Sequence, residues 1–349
     1  MAFTKASGYT NLNTGNFSPV IYSKKVQKAF RSASIVDAVT NTDYSGDIAN
    51  FGDSVKIIKE PDITITNYER GTALATQDLT DADFTMVVDQ ANYFQFAIDD
   101  IEEAHSHISF SDLASDRAGY KLRDSFDAEV LSGWKTPSNW VRRSASGDVN
   151  GTKANSGAGN DELLAANKLD ITDFGGSDLG VAGEVTAIPI AAGGGAGGIT
   201  SPLAILNRIA RQMDQANVDT DGRWLCIDPV FAEVLMDESS KLINADFNGG
   251  DEMRNGKLPG TIRGFSVYKS NNLPYEGTGA GVALATGSET NFGVLVAGHA
   301  SAVATAEQIA KTETFRSQTT FADVVRGMQL YGRKILRPEA LFTANYNLA

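Results

Sequence analysis

The stretch IPIAAGGGAGGITSPLAILNRIARQ, residues 188–212, decides between two folds. An apolar run ends in a glycine loop, and a helical pattern follows. Gly193, Gly195 and Gly198 satisfy G-x-G-x-x-G, the pattern of a dinucleotide-binding turn. Downstream, WLCID reads as a second strand ending in Asp228, an acid that could meet a ribose. Three features oppose that reading. A dinucleotide turn places its third glycine at the helix start, so that the pyrophosphate meets the helix N-terminus. Here Ile199, Thr200, Ser201 and Pro202 separate Gly198 from the helical pattern. Pro189 sits in the supposed first strand, and a central strand tolerates proline badly. Asp228 lies 30 residues past Gly198, against an expected ~20. A glycine-rich linker that fits the pattern by chance is the better reading.

The glycines around it support that choice. Residues 141–200 hold 13 of the chain's 34 glycines, with many Ala, Asn and Ser residues. Only DELLAANKLDITDF within this segment looks structured, so it reads as a surface insertion or a set of long loops. After it, SPLAILNRIARQMDQA reads as an amphipathic helix and GRWLCIDPVFAEVLM as strand, proline and helix. GTIRGFSVYKSNNLP, GVALATG and FGVLVAG read as further strands. The tail, AVATAEQIAKTETFR and then ADVVRGMQLYGRKILRPEAL, is again strand-rich.

Working toward the N-terminus, SDLASDRAGYKLRDSFDAEVLSG reads as a long helix from Ser111, with Gly133 as its stop. Ala118, Leu122, Phe126 and Val130 form its stripe. Residues 99–108 read as a short helix, and FTMVVDQANYFQFAI as a strand bent or split at Asp89–Asn92. In NFGDSVKIIKEPDITITNYERG, Val55 and Ile57 alternate with polar neighbours, as do Ile63 and Ile65. Glu60-Pro61-Asp62 breaks the run, so the expectation is a two-stranded ribbon with an apolar face. Such a ribbon has no core of its own and needs a partner surface. Ser18-Pro19 opens a helical segment ending at Phe30, and residues 1–18 read as an extended arm.

The totals bound the function. The 349 residues carry a net charge of −13, which argues against a general nucleic-acid-binding surface. Residues 1–36 hold Lys5, Lys24, Lys25, Lys28 and Arg31 and no acid, so the rest of the chain carries −18. A basic arm that lies on an acidic neighbouring subunit fits this asymmetry; a solvated tail is the alternative. Cys226 is the one cysteine, consistent with a reducing compartment. No stretch approaches the ~20 apolar residues of a membrane span.

Metal and catalytic patterns are weak. Asn217, Asp219, Asp221, Gly222 and Asp228 fall at positions 1, 3, 5, 6 and 12 of a calcium loop, but position 12 wants a bidentate Glu opening a helix. Glu103 and His107 could share a helix face, whereas His105 could not join them. There is no H-E-x-x-H, no cysteine pair and no G-x-S-x-G elbow.

FRSQTTFADVVRGMQLYGRKILRPEAL (315–341) resembles the C-terminal strand of tailed-phage major capsid proteins with the HK97-type fold. QANVDTDGRWLCIDPVFAEVLM (215–236) resembles the entry to their axial domain. FGDSVKIIKEPDITITNYERG resembles their extended loop, and FSPVIYSKKVQKAF the end of their N-terminal arm. The order of segments along the chain also agrees, except over about residues 135–200.

The resemblance implies an α+β chain divided as follows. An N-terminal arm and helix take 1–45, and an extended β-loop 46–82. A peripheral domain takes 83–140 and 300–349, with a spine helix at about 111–132. Gly-rich loops take 141–200, and an axial α/β domain 201–299. It implies a structural protein, not an enzyme, that forms hexamers and pentamers of an icosahedral shell around double-stranded DNA held without specific binding. It implies a virion location after assembly in the host bacterial cytoplasm, with a scaffolding protein and portal as partners and a decoration protein as an optional one. No catalytic residue, cofactor, metal or membrane is implied. Some members crosslink through a Lys and an Asn, but no positions here match those. Lys24, Lys25, Lys28, Arg31, Val55, Ile57, Ile63 and Ile65 become the expected intersubunit contacts. An encapsulin-like nanocompartment shell stays open as an alternative, and a nicotinamide enzyme acting through Gly193–Gly198 as a remote one.

Overall fold

The computed structural model describes residues 34–44, 54–59, 61, 63–71, 73, 76–78, 82–88, 90–100, 110–132, 139–142, 152–154, 163–176, 187–195, 198–237, 260–276 and 292–348. The expected arm and helix at 1–30, nearly all of the short helix at 99–108, and the strand in GVALATG lie outside them.

Strand β1 (Ser54–Lys59) pairs antiparallel with β2 (Ala82–Val87) as a two-stranded hairpin. β3 (Gln90–Asp99) follows, so the long apolar run is divided between β2 and β3. Ile63–Thr66 is not a strand, and the partner of Val55 and Ile57 is Met86–Phe84 instead. The reason is anchoring. Met86 and Val88 pack on Ala304 and Ala306, with Tyr44, Val55, Ile57, Leu330 and Leu336 around them. Ile63 and Ile65 have no such seat among the described residues.

The short helix α1 (Val36–Val39) precedes the hairpin, and the long helix α2 (Phe110–Ser132) follows β3. Ser111 therefore lies inside the first turn of α2 and is not its N-cap. The stripe is buried toward its C-terminal end, at Phe126 and Val130 with Ala128 and Leu131, while Ala118 and Leu122 are half-exposed.

A ten-stranded sheet forms the largest body. Its order is β5 (Thr152–Ala154), β4 (Asn139–Arg142), β11 (Pro274–Glu276), β12 (Phe292–His299), β8 (Arg223–Ile227), β10 (Phe265–Lys269) and β9 (Thr261–Ile262). β15 (Leu341–Leu348) pairs with β12 and also with β6 (Lys168–Leu169) and β7 (Ile188–Ile190). Period-2 alternation sorts the two faces. Trp224 and Cys226 of β8 and Val294 and Val296 of β12 face α1 and α2, meeting Val36, Val39, Phe126 and Val130. Leu225, Ile227, Leu295 and Ala297 face the other way, onto helix α3 (Pro202–Gln215) and helix α4 (Pro229–Leu235). Ile205, Leu206, Ile209 and Met213 of α3 are fully buried there. Each such side chain is worth about 1.5–3 kcal/mol.

Within 141–200, the described pieces join the subunit's core. Leu163, Leu169, Ile171, Ile188 and Ile190 are buried, and β6 and β7 run parallel to β15. Leu163, Leu169 and Ile171 fall in DELLAANKLDITDF, the piece that reads as structured, and Ile188 and Ile190 in the apolar run before the glycines.

β13 (Val303–Arg316), β14 (Ala322–Ile335) and β3 make a three-stranded antiparallel sheet. One face packs on α2, where Tyr331 meets Phe126 edge-on with ring centroids 4.8 Å apart. Asn92 donates to the Tyr331 hydroxyl (3.1 Å), which donates to Glu129 of α2. β2 crosses β14 at Gly332, where a Cβ would stand 2.4 Å from the Val87 carbonyl oxygen.

Candidate assembly surfaces

The glycine loop closes on itself. Gly194 N donates to Ala191 O (3.0 Å) and Gly195 N to Ile199 O (3.1 Å), while Thr200 N returns to Pro189 O (2.8 Å). Gly194 and Gly198 take φ of 69° and 89°, the left-handed region that glycine enters freely. The amides a phosphate would need at Gly194 and Gly195 are therefore occupied. Asp228 caps α4 by accepting from Phe231 N (2.9 Å) and also accepts from the buried Tyr346 hydroxyl, so it faces no ribose. The loop links β7 to α3.

The calcium-like turn has a different design. Asp219 Oδ1 accepts from Asp221 N (3.2 Å), an Asx turn. Arg223 ties the turn to the helix end, donating to Asp219 O (2.8 Å), Val218 O (2.7 Å) and Asp214 (2.8 Å). Asp228 lies beyond the five residues of β8, about 17 Å away. His299 donates from Nε2 to Asp221 O (2.8 Å) and so braces the turn. Glu103, His105 and His107 lie outside the described residues. Burial pushes the Cys226 thiol well up, and the Asp127 carboxylate adds to this, so the thiolate is disfavoured.

Lys24, Lys25, Lys28 and Arg31 also lie outside the described residues. What is described is the chain that follows them. Asp127 of α2, fully buried, accepts at Oδ1 from Ser34 Oγ (2.9 Å), Ile35 N (2.9 Å) and Val36 N (3.0 Å). Its Oδ2 accepts from Asn272 Nδ2 (3.1 Å). One turn earlier, Arg123 pairs with Asp37 and approaches Glu307 at 3.5 Å. Nothing in the sequence marks Asp127, which lies between Asp124 and Glu129 on the same helix.

The hairpin presents two unlike faces. Val55 and Ile57 turn toward the subunit and are half-buried against Met86. Ile58 and Val87 turn outward and are exposed. Beyond the hairpin, Ile63 (66% exposed), Ile65 (95%) and Tyr68 stand in solvent. Of the four apolar residues expected at an interface, Val55 and Ile57 pack within the subunit, and Ile63 and Ile65 are exposed. Ile58 was legible in the Ile57–Ile58 doublet, because adjacent strand residues face opposite ways.

The outer face of the three-stranded sheet is a second surface. Tyr93 and Met328 are cross-strand partners and both exposed. Beside them Glu313 accepts from Arg326 Nη2 (2.7 Å) and Nε (3.1 Å) and pairs with Lys311. These two cations, Lys311 first, hold the Glu313 carboxyl down to about 2. Arg326 also lies over the Phe315 ring at 4.9 Å. At the sheet's tip Arg316 bridges Asp100 (2.7 Å) and Asp323 (3.1 Å), and the next turn displays Phe321 to solvent. Among the described residues no group of three or more His, Cys, Asp or Glu is arranged to hold a metal. These surfaces offer apolar contact and paired charge rather than reactive groups.

No family model and no curated protein sequence matches the chain. Its fold, however, is that of phage capsid structures. It is similar to the capsid structure of the cyanophage P-SCSP1u at 20% identity and a TM-score of 0.66, with 100% of each chain covered. A structure from Mycobacterium phage Che8 matches at 21% identity and a TM-score of 0.65, over 94% of this chain and 97% of that one. The asymmetric unit of the bacteriophage PhiM1 mature capsid matches at 17% identity and a TM-score of 0.62, over 99% and 97%.

Proposed function

We propose that this chain is a tailed-phage major capsid protein with the HK97-type architecture, building hexamers and pentamers of an icosahedral shell around double-stranded DNA. One observation carries the reading: the fold matches capsid structures end to end, over 94–100% of this chain, with no large part left for another task. The exposed apolar groups agree with it. Ile58, Ile63, Ile65 and Tyr68 have solvent around them in the single subunit, and a shell would cover them.

In this reading residues 1–45 are the arm and its helix, and 46–82 the extended loop. The peripheral domain takes 83–140 and 300–349 around α2, although β15 hydrogen-bonds within the sheet of the axial domain, 201–299. Within 141–200, β5, β6 and β7 join that sheet. Ile63 and Ile65 make the loop's intersubunit contact, Val55 and Ile57 support it from below, and Lys24, Lys25, Lys28 and Arg31 contact an acidic neighbour. The protein acts structurally, without catalysis. The net charge of −13 keeps the wall from adhering to packaged DNA. A scaffolding protein, a portal and an optional decoration protein are its expected partners, and the virion, assembled in the host cytoplasm, is its place.

Negative-stain imaging of the purified protein, with and without its scaffold, tests this. Closed isometric shells or ring-shaped capsomers are expected. A strictly monomeric species at high concentration in both cases would sink the proposal, and shells filled with a cargo enzyme would favour a nanocompartment.

A further inference from the structure

We propose that Ser34–Tyr44 is a strap that docks and releases as one unit and thereby couples the basic arm to the hairpin. The chain before Ser34 is the arm, and the chain after Tyr44 leads to β1. These eleven residues lie between the two along the chain, and three sets of contacts hold them. At one end Asp127 accepts from Ser34, Ile35 and Val36, and Arg123 pairs with Asp37. In the middle Thr40 Oγ1 meets Thr305 Oγ1 at 2.9 Å, Asn41 N donates to Val303 O (2.8 Å), and Thr305 N donates to Asn41 O (2.9 Å). At the far end Tyr44 packs into the cluster of Met86, Val88, Ala304 and Ala306 that seats the hairpin.

The coupling follows from β13. The run Val303–Ala306 does two jobs. Its Val303 and Thr305 backbone groups bond the strap, while its Ala304 and Ala306 side chains seat the hairpin. A strap that leaves β13 also removes Tyr44 from the hairpin's seat. Partial release is disfavoured at the other end. With the strap docked Asp127 is fully buried, and three of its donors sit on the consecutive residues Ser34, Ile35 and Val36. A carboxylate that loses one donor while the rest of the strap still covers it is costly, so these contacts hold until they go together. Asp127 and Arg123 are thus positioning residues for both elements. The coupling is a property of the subunit and does not depend on the capsid reading.

Hydrogen exchange on the full-length chain, followed by peptide mass spectrometry, tests it. Asp127→Ala should speed exchange about tenfold or more in peptides covering Ile35–Asn41 and also in those covering β1 and β2. The β14 core around Val325–Gln329 should stay protected. Coupling is reciprocal, so Met86→Ala at the hairpin's seat should speed exchange in Ile35–Asn41. Faster exchange confined to residues 34–37, or uniform loss of protection across β14, would overturn the proposal. If Asp127→Ala does not fold, Arg123→Gln decides. Arg123 is partly exposed, and its loss should give the same paired pattern at smaller amplitude. A change at 34–37 with an unmoved hairpin in that variant overturns it equally.

Discussion

A Cβ on Gly332 would stand 2.4 Å from the Val87 carbonyl oxygen and 3.0 Å from Val88 Cα, both backbone atoms that cannot swing aside. Gly119, on α2, has nothing within 4 Å of the same probe position. The two glycines should answer the same substitution with opposite signs. Gly332→Ala should cost about 1–3 kcal/mol by forcing β2 off the sheet. Gly119→Ala should gain about 0.5–1 kcal/mol from helix propensity alone. Denaturant unfolding of both variants checks this, and equal shifts would mean that the crossing at Gly332 is not close. Nothing in the sequence distinguishes these glycines, since the reason for one of them lies on another strand. Glu313 makes a second residue-scale test. Its carboxyl is held down to about 2 by Lys311 and Arg326. A depressed folded-state value contributes stability above the ordinary carboxylate range and loses it as pH falls from about 4.5 toward about 2. The pair is exposed, so molar salt should screen it. NMR titration should find the Glu313 midpoint near 2 and should find it raised in Arg326→Gln; a wild-type midpoint in the ordinary range means the pairs do not form in solution.

At the scale of elements, what was legible followed strong periodicity. WLCID alternates between two buried faces, and SPLAILNRIARQ carries a clean apolar stripe; both formed as read. The ribbon was read with the wrong partner because alternation names a strand but not its mate. Ile63 and Ile65 alternate as well as Val55 and Ile57 do, yet only the latter have Met86 and Ala304 beneath them. That difference makes a prediction within one element. Ile57→Asp puts a charge against the subunit's own cluster and should lower its melting temperature. Ile63→Asp with Ile65→Asp changes side chains already in solvent, so the subunit should melt nearly as before while assembly fails. Melting curves and light-scattering assembly assays on both variants separate the two roles. Intact shells from the double variant would show that this face lies at no interface.

For the whole molecule the informative feature is the split of charge between a short basic segment and a large acidic body. Residues 1–36 carry five cations and no acid, on a chain of net −13. Composition showed that split directly, but not where the segment joins the body, because Asp127 and Arg123 reach residues 34–37 across some 90 positions of sequence. The join matters for how the arm can be removed. A deletion of residues 1–31 leaves Ser34 and everything Asp127 and Arg123 hold. The subunit should therefore keep near-native circular dichroism and its melting temperature, and should assemble poorly for want of the arm's contact with a neighbour. Changing Lys24, Lys25, Lys28 and Arg31 to Gln removes the charge and leaves the apolar Val20, Ile21, Val26 and Phe30. That variant should assemble better than the deletion, and its deficit relative to wild type should shrink at molar salt, where the Debye length falls to about 3 Å. A deletion that builds shells in normal yield would reduce the arm to a solvated tail. A deletion that fails to fold would instead place part of residues 1–31 in the subunit's own core, and the division of labour between arm and strap would have to move toward the N-terminus.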